Sequence, residues 1–249
     1  MYKSRLLRIS SSQRSNPNNV DTNHFTVKFD NLGSLQKVHS VVVKHVSFTN
    51  TFYNINQYNN ILVVDNDEEK EITVPVGNYS IRDLLNYINP QMPNNNNVFS
   101  YDLITNKLTI SASSSHPLEI KGTGTINKVL GFPEDGTDVL IVDTQAPYQV
   151  QLQGVQHVYL QSVVLGNGNN LLEGNENQEE SIFAMIPCDV PFGAIKHYES
   201  VHDTLDVINY HSSSGINTQT IDIRVLDNKK RLLDTSCHEV NIVLKVFFE

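Results

Sequence analysis

Residues 220–248 read TIDIRVLDNKKRLLDTSCHEVNIVLKVFF, and the two ends of this stretch decide the fold class. From Thr220 to Val225, Ile221, Ile223 and Val225 alternate with Thr220, Asp222 and Arg224. From Val240 to Phe248, apolar and polar residues again alternate over much of the segment. Successive side chains of an extended chain point to opposite faces, so this period of two marks strands with one face buried and one wet. Asn228 and its neighbours carry the turn chemistry between them.

The signature recurs upstream at 25–29, 38–48, 71–76, 107–111, 148–152, 157–164 and 181–186. Clusters of Asn, Asp and Gly separate the segments: Asn59-Asn60, Asp65 to Asp67, Asn94 to Asn97, Gly122 to Gly124 and Gly166 to Asn170. At least nine strands joined by such loops, without repeated crossover helices, predict a sandwich or barrel of antiparallel sheets. One helix interrupts the pattern. In GNYSIRDLLNYINP (77–90), Ser80 is a good N-cap, Asp83 places negative charge in the first turn, and Ile81, Leu84, Leu85 and Ile88 form one apolar stripe. A shorter helical turn is expected over 125–130, closed by Gly131. Residues 78–132 therefore read as a small α+β unit set into an all-β chain.

Composition bounds the function. The chain has 249 residues, and Val and Asn are its commonest residues, a pairing of strand former and corner former. Net charge is −9, yet Lys3, Arg5, Arg8 and Arg14 are the only charged side chains among the first twenty residues, which leaves −13 for the rest. An acidic body argues against a nucleic-acid-binding face, because phosphate binding needs clustered cations. Two cysteines, Cys188 and Cys237, make no disulfide framework and have no zinc spacing. Met1 to Ile9 lacks the apolar run of a secretory signal, and no window approaches the 18 apolar residues of a membrane span. These features predict a chain that stays inside the cell that makes it.

Catalytic patterns are weak. No G-x-S-x-G occurs, and the Gly-rich GTGT at 122–125 lacks the lysine of a phosphate loop, so a hairpin tip is expected there. His39 and His45, six apart on one strand pattern, would share a face at a separation of about 20 Å, too far for one ion. The best metal-like cluster is HYESVHDTLD (197–206), with His197, Glu199, His202, Asp203 and Asp206, two or three of which a hairpin between 196–201 and 205–210 would bring together. A polar turn explains that cluster as well, and no metal, cofactor or enzymatic activity is expected. In NTFYNINQYNN (50–60) aromatics interleave with Asn, but no Lys or Arg occurs from Val46 to Val64. A structured corner, with Asn side chains bonding the backbone, is preferred over a nucleic-acid stacking platform.

The order of these signals resembles the single-jelly-roll penton (vertex capsid) proteins of virophages, Polinton-like viruses and related icosahedral double-stranded DNA viruses. The residues that carry the likeness are LLRISSSQRSNPNNVDTNHFTVKF (6–29), NTFYNINQYNN (50–60), VGNYSIRDLLNYIN (76–89), LTISASSSHPLEI (108–120) running into INKVLGF (126–132), and the terminal pair 221–248. The likeness implies a β-sandwich of two four-stranded sheets with an inserted unit, forming a homopentamer at each capsid vertex beside a major capsid protein. It implies a virion location, with assembly in the host cytoplasm or nucleus. The expected organisation is a flexible basic arm at 1–22, jelly roll at 23–77, α+β insertion at 78–132 and jelly roll again at 133–249. Arg5, Arg8 and Arg14 of the arm would meet acidic protein surface or packaged DNA. A second reading on the same fold class is a glycan- or receptor-binding sandwich, with calcium at Asp203 and Asp206.

Overall fold

The computed structural model describes residues 3–15, 22–28, 35–93, 98–112, 117–141, 144–166, 181–200, 207–209 and 216–248. In chain order its strands begin with β1 (Lys3–Ser10), β2 (His24–Lys28), β3 (Leu35–Thr49), β4 (Ile61–Asp65) and β5 (Glu69–Thr73). Helix α1 (Ile81–Ile88) precedes β6 (Val98–Asp102), β7 (Lys107–Ser111) and β8 (Leu118–Ile120). Helix α2 (Asn127–Leu130) is followed by β9 (Val139–Ile141), β10 (Thr144–Gln145) and β11 (His157–Gln161). After α3 (Val163–Gly166) come β12 (Ile182–Pro187), β13 (Ile195–Glu199), β14 (Val207–Asn209), β15 (Ile216–Thr218), β16 (Thr220–Leu226) and β17 (Asn241–Phe248).

These elements divide into two compact units, one of residues 1–52 with 155–249 and one of residues 53–154. The first is a jelly-roll β-sandwich of antiparallel sheets. One sheet runs β1-β17-β3-β13, with β14 and β15 pairing successive stretches of the long β3, and the other runs β12-β11-β16-β2. The expected count of four and four therefore becomes six and four, because β3 is long enough to take three short partners along one edge. Inward residues of both sheets fill one core: Leu7, Ile9, Val41, Val46, Ile242 and Leu244 from the first, Phe25, Val158, Phe183, Ile221 and Ile223 from the second. Each such side chain removed from water contributes roughly 1.5–3 kcal/mol.

The second unit carries a sheet β5-β4-β8-β9 and a sheet β10-β7-β6, with α1 packed into a separate core of Leu62, Val64, Ile72, Leu84, Ile88 and Leu108 among others. The expected insertion, 78–132, lies wholly inside it. Both boundaries move outward because β4 pairs with β5 and β8, and because Ala146, Val150 and Leu152 pack against the same core. Helix α1 starts as the sequence predicts: Ser80 Oγ accepts from the Asp83 amide at 3.2 Å and donates to Asp83 Oδ2 at 2.6 Å. At its far end the Asn89 side chain bonds both backbone groups of Phe99, which ties the helix to β6.

Two further expectations are corrected. Residues 148–152 form no strand; their amides go instead to Gly131, Asn106 and Val129, three partners in three directions. The strand expected over 157–164 stops at Gln161, where Ser162 Oγ caps the turn of α3 by accepting from the Leu165 amide.

Candidate functional site

The basic lead-in, expected to be a flexible arm over 1–22, is a strand through most of its first half. β1 pairs with β17 over its whole length, from Lys3 opposite Phe248 to Ser10 opposite Asn241. The cause is the inward pair Leu7 and Ile9, both buried, followed by Ser11, whose amide and hydroxyl bond the carbonyl and amide of Val240. Arg5 and Arg8 are exposed and stand three residues apart, so they project to opposite faces of the sheet. Arg14 is half-buried and its Nη1 donates to the Ser11 carbonyl at 3.1 Å. Residues 16–21 lie outside the described residues. Among the described residues β1 ends its sheet, so Arg5 and Arg8 lie on an edge strand, whereas Arg14 lies beyond it, next to Ser15, whose amide donates to the Thr26 carbonyl of β2.

The hairpin expected to gather the metal-like cluster does not form. β13 and β14 do not pair as a hairpin; both pair with β3, at different stretches of it. His202, Asp203 and Asp206 fall outside the described residues. His197 is exposed on β13, opposite Ser47, and its ring stands 5.8 Å from that of His45 on β3. On the sequence, His45 and His39 stand too far apart for one ion; the histidine that His45 meets is His197, from β13. Among the described residues, no three His, Cys, Asp or Glu side chains are placed to hold a metal ion.

Other motifs have structural explanations. In the jelly roll, Asn50 Nδ2 donates to the Val190 carbonyl at 2.8 Å. In the second unit, Asn54 takes the Tyr79 amide and donates to the carbonyls of Tyr79 and Leu152. Asn56, Asn59 and Asn60 also bond backbone groups, which is the corner expected from the sequence. The GTGT segment is a turn between β8 and α2 rather than the tip of a hairpin. Its Gly122 amide donates to Asp138 Oδ1 at 2.7 Å, so a carboxylate of the chain occupies the donor a phosphate would need. That bond holds the Asp138 carboxyl below the usual range, helped by nearby Lys121. The Lys121 amine is ringed by Glu119, Asp65 and Asp138 at 2.5, 3.4 and 3.4 Å, which keeps it protonated.

Cys188 sits where its thiolate is disfavoured. Burial pushes its thiol up to about 11, the Asp189 charge adds to this, and Lys196 opposes it while ion-pairing Asp189 at 2.5 Å. No helix among the described residues is long and apolar enough to cross a membrane.

No protein-family model matches the chain, and no curated protein matches it in sequence. Among solved structures, the crystal structure of the selenomethionine-labelled mavirus penton protein superposes with a TM-score of 0.52 at 10% identity, covering 98% of this chain and 99% of the penton chain. The likeness is one of fold, a penton-like fold, and it extends over both units.

Proposed function

We propose that this chain is a vertex subunit of an icosahedral double-stranded DNA virus capsid, a penton that assembles as a homopentamer next to a major capsid protein. The observation that supports it most is coverage: this chain and a penton protein match over 98% and 99% of their respective lengths, so the match takes in residues of both the jelly roll and the second unit. A jelly roll alone hosts many functions, and a match along nearly all of both chains is what narrows the choice. In this reading the chain works by surface complementarity between copies and catalyses nothing. The edge strand β1 and the cations of the N-terminal segment, Arg5, Arg8 and Arg14, serve assembly by meeting the acidic surface of a neighbour or packaged DNA. The virion, at the capsid vertex, is then its location.

The test is mass. Light scattering of the purified full chain, alone and with co-expressed major capsid protein, is expected to give particles of five copies of the 28.1 kDa chain or incorporation into capsids. A protein that stays monomeric and never enters particles overturns the reading.

A further inference from the structure

On the face of the β3–β13 pair turned away from the core, His45 and His197 stand side by side. Tyr198 packs against the core, so its neighbours His197 and Glu199 point the other way. Val46 and Phe48 of β3 are core residues, so His45 and Ser47 share that outer face. The register puts Glu199 opposite His45 and Ser47 opposite His197, which makes the two histidines diagonal neighbours. Diagonal cross-strand side chains are within reach of each other when they are long or aromatic. The rings are 5.8 Å apart between centres and inclined by 31°.

We propose that His45 and His197 form a two-histidine site for a borderline divalent transition-metal ion, of the Ni(II), Cu(II) or Zn(II) class. Two imidazoles sharing one ion through nitrogen, with bonds of about 2.0 Å, place their ring centres about 5 Å apart. The observed 5.8 Å differs from that by a small side-chain rotation. Imidazole nitrogen suits these ions, and hard cations such as calcium and magnesium would prefer oxygen. Glu199, in register with His45, adds negative charge to the same face. No third His, Cys, Asp or Glu among the described residues completes the sphere, so the remaining positions fall to water. His197 is exposed, and among the described residues β13 pairs only with β3, at the margin of the sheet. The site does not depend on the vertex reading.

A plain aromatic contact between two imidazoles is the competing explanation, and the variants are chosen to separate the two. His197→Phe and His45→Phe keep a ring at each position and remove the nitrogen ligand. Calorimetric titration of the full chain with Ni(II) in a non-coordinating buffer near pH 7.5 is expected to show a saturable site. Its affinity should fall at least tenfold in either Phe variant and stay within twofold in His157→Phe, a control on β11. Thermal melts give the second readout: Ni(II) should raise Tm in the parent chain and not in His197→Phe. Absence of saturable binding, or a His197→Phe chain that binds as the parent does, overturns the proposal. Because His197 is exposed, its Phe variant keeps the test decisive even if His45→Phe fails to fold.

Discussion

Gly131 has φ of +87°, and a Cβ built there would stand 2.3 Å from the Tyr148 carbonyl oxygen. Left-handed backbone and close approach both demand glycine, and the Gly131 amide closes α2 by donating to its carbonyls. Gly131→Ala is expected to cost about 2–3 kcal/mol, read as a lower urea midpoint; an unchanged midpoint would contradict this account of the turn. Asp227 has the same standing in the sandwich. It is 6% exposed, accepts from the amides of Lys229 and Arg231 at 2.8 and 2.9 Å, and pairs with the Arg231 guanidinium. Asp227→Ala leaves those donors without their carboxylate and should cost about 2–4 kcal/mol by the same measurement. The cysteines separate by environment: Cys237 is exposed, whereas burial disfavours the Cys188 thiolate. Iodoacetamide near pH 8 is expected to modify Cys237 in the native protein well before Cys188. Equal labelling would mean that the Cys188 environment is not the buried one described.

Elements show where a sequence stops being readable. Helix α1 was legible because everything that makes it is local: the Ser80 cap, the stripe of Leu84, Leu85 and Ile88, and the stop at Asn89-Pro90. The Asn corner was legible for the same reason, since Asx side chains bond backbone a few residues away. β1 was not. KSRLLRIS has two inward apolar residues, and Leu6 beside Leu7 breaks the alternation, so nothing local separates it from a polar tail. What makes it a strand is β17, more than 230 residues later, whose edge it covers. Unit boundaries failed likewise: β4 finds β8 across more than fifty residues, and α1 lies between them. The histidine pair was hidden because β13 finds β3, which lies far away in the chain, and not the neighbouring segment that local patterning suggests. A loose arm could be cut without consequence, and this strand cannot. Deleting residues 1–10 uncovers β17 and strips Leu7 and Ile9 from the core, so Tm should drop by several degrees and aggregation should rise. An unchanged Tm would return β1 to the status of a tail.

At the scale of the whole chain, charge is the dominant long-range property. There are 27 acidic side chains against 18 Lys and Arg, and several carboxylates are bound tightly into local structure. The Ile104 amide and the Thr105 hydroxyl hold the Asp102 carboxyl below the usual range, at the turn between β6 and β7. Thr137 does the same for Asp135, Gly122 for Asp138, and Lys196 for Asp189. Each of these groups binds its proton more weakly folded than unfolded, so the unfolded chain takes up more protons once the pH nears the ordinary aspartate value of about 3.9. Their contribution to stability is complete above that value and is lost as pH falls through the depressed folded values. Stability from these groups should therefore hold between pH 6 and about pH 5 and decline as the pH falls through about 4 towards 3 and below. Three of the four, Asp102, Asp135 and Asp138, lie in the second unit and one in the jelly roll, so the acid loss should fall more heavily on residues 53–154. Hydrogen exchange followed by peptide across that pH range, corrected for intrinsic rates, tests this directly. Protection should fall first around β6, β7 and the 121–138 connection, while β3 and β17 hold longer. Uniform loss across both units, or greater protection at pH 3 than at pH 6, would show that these four carboxylates do not govern the acid response.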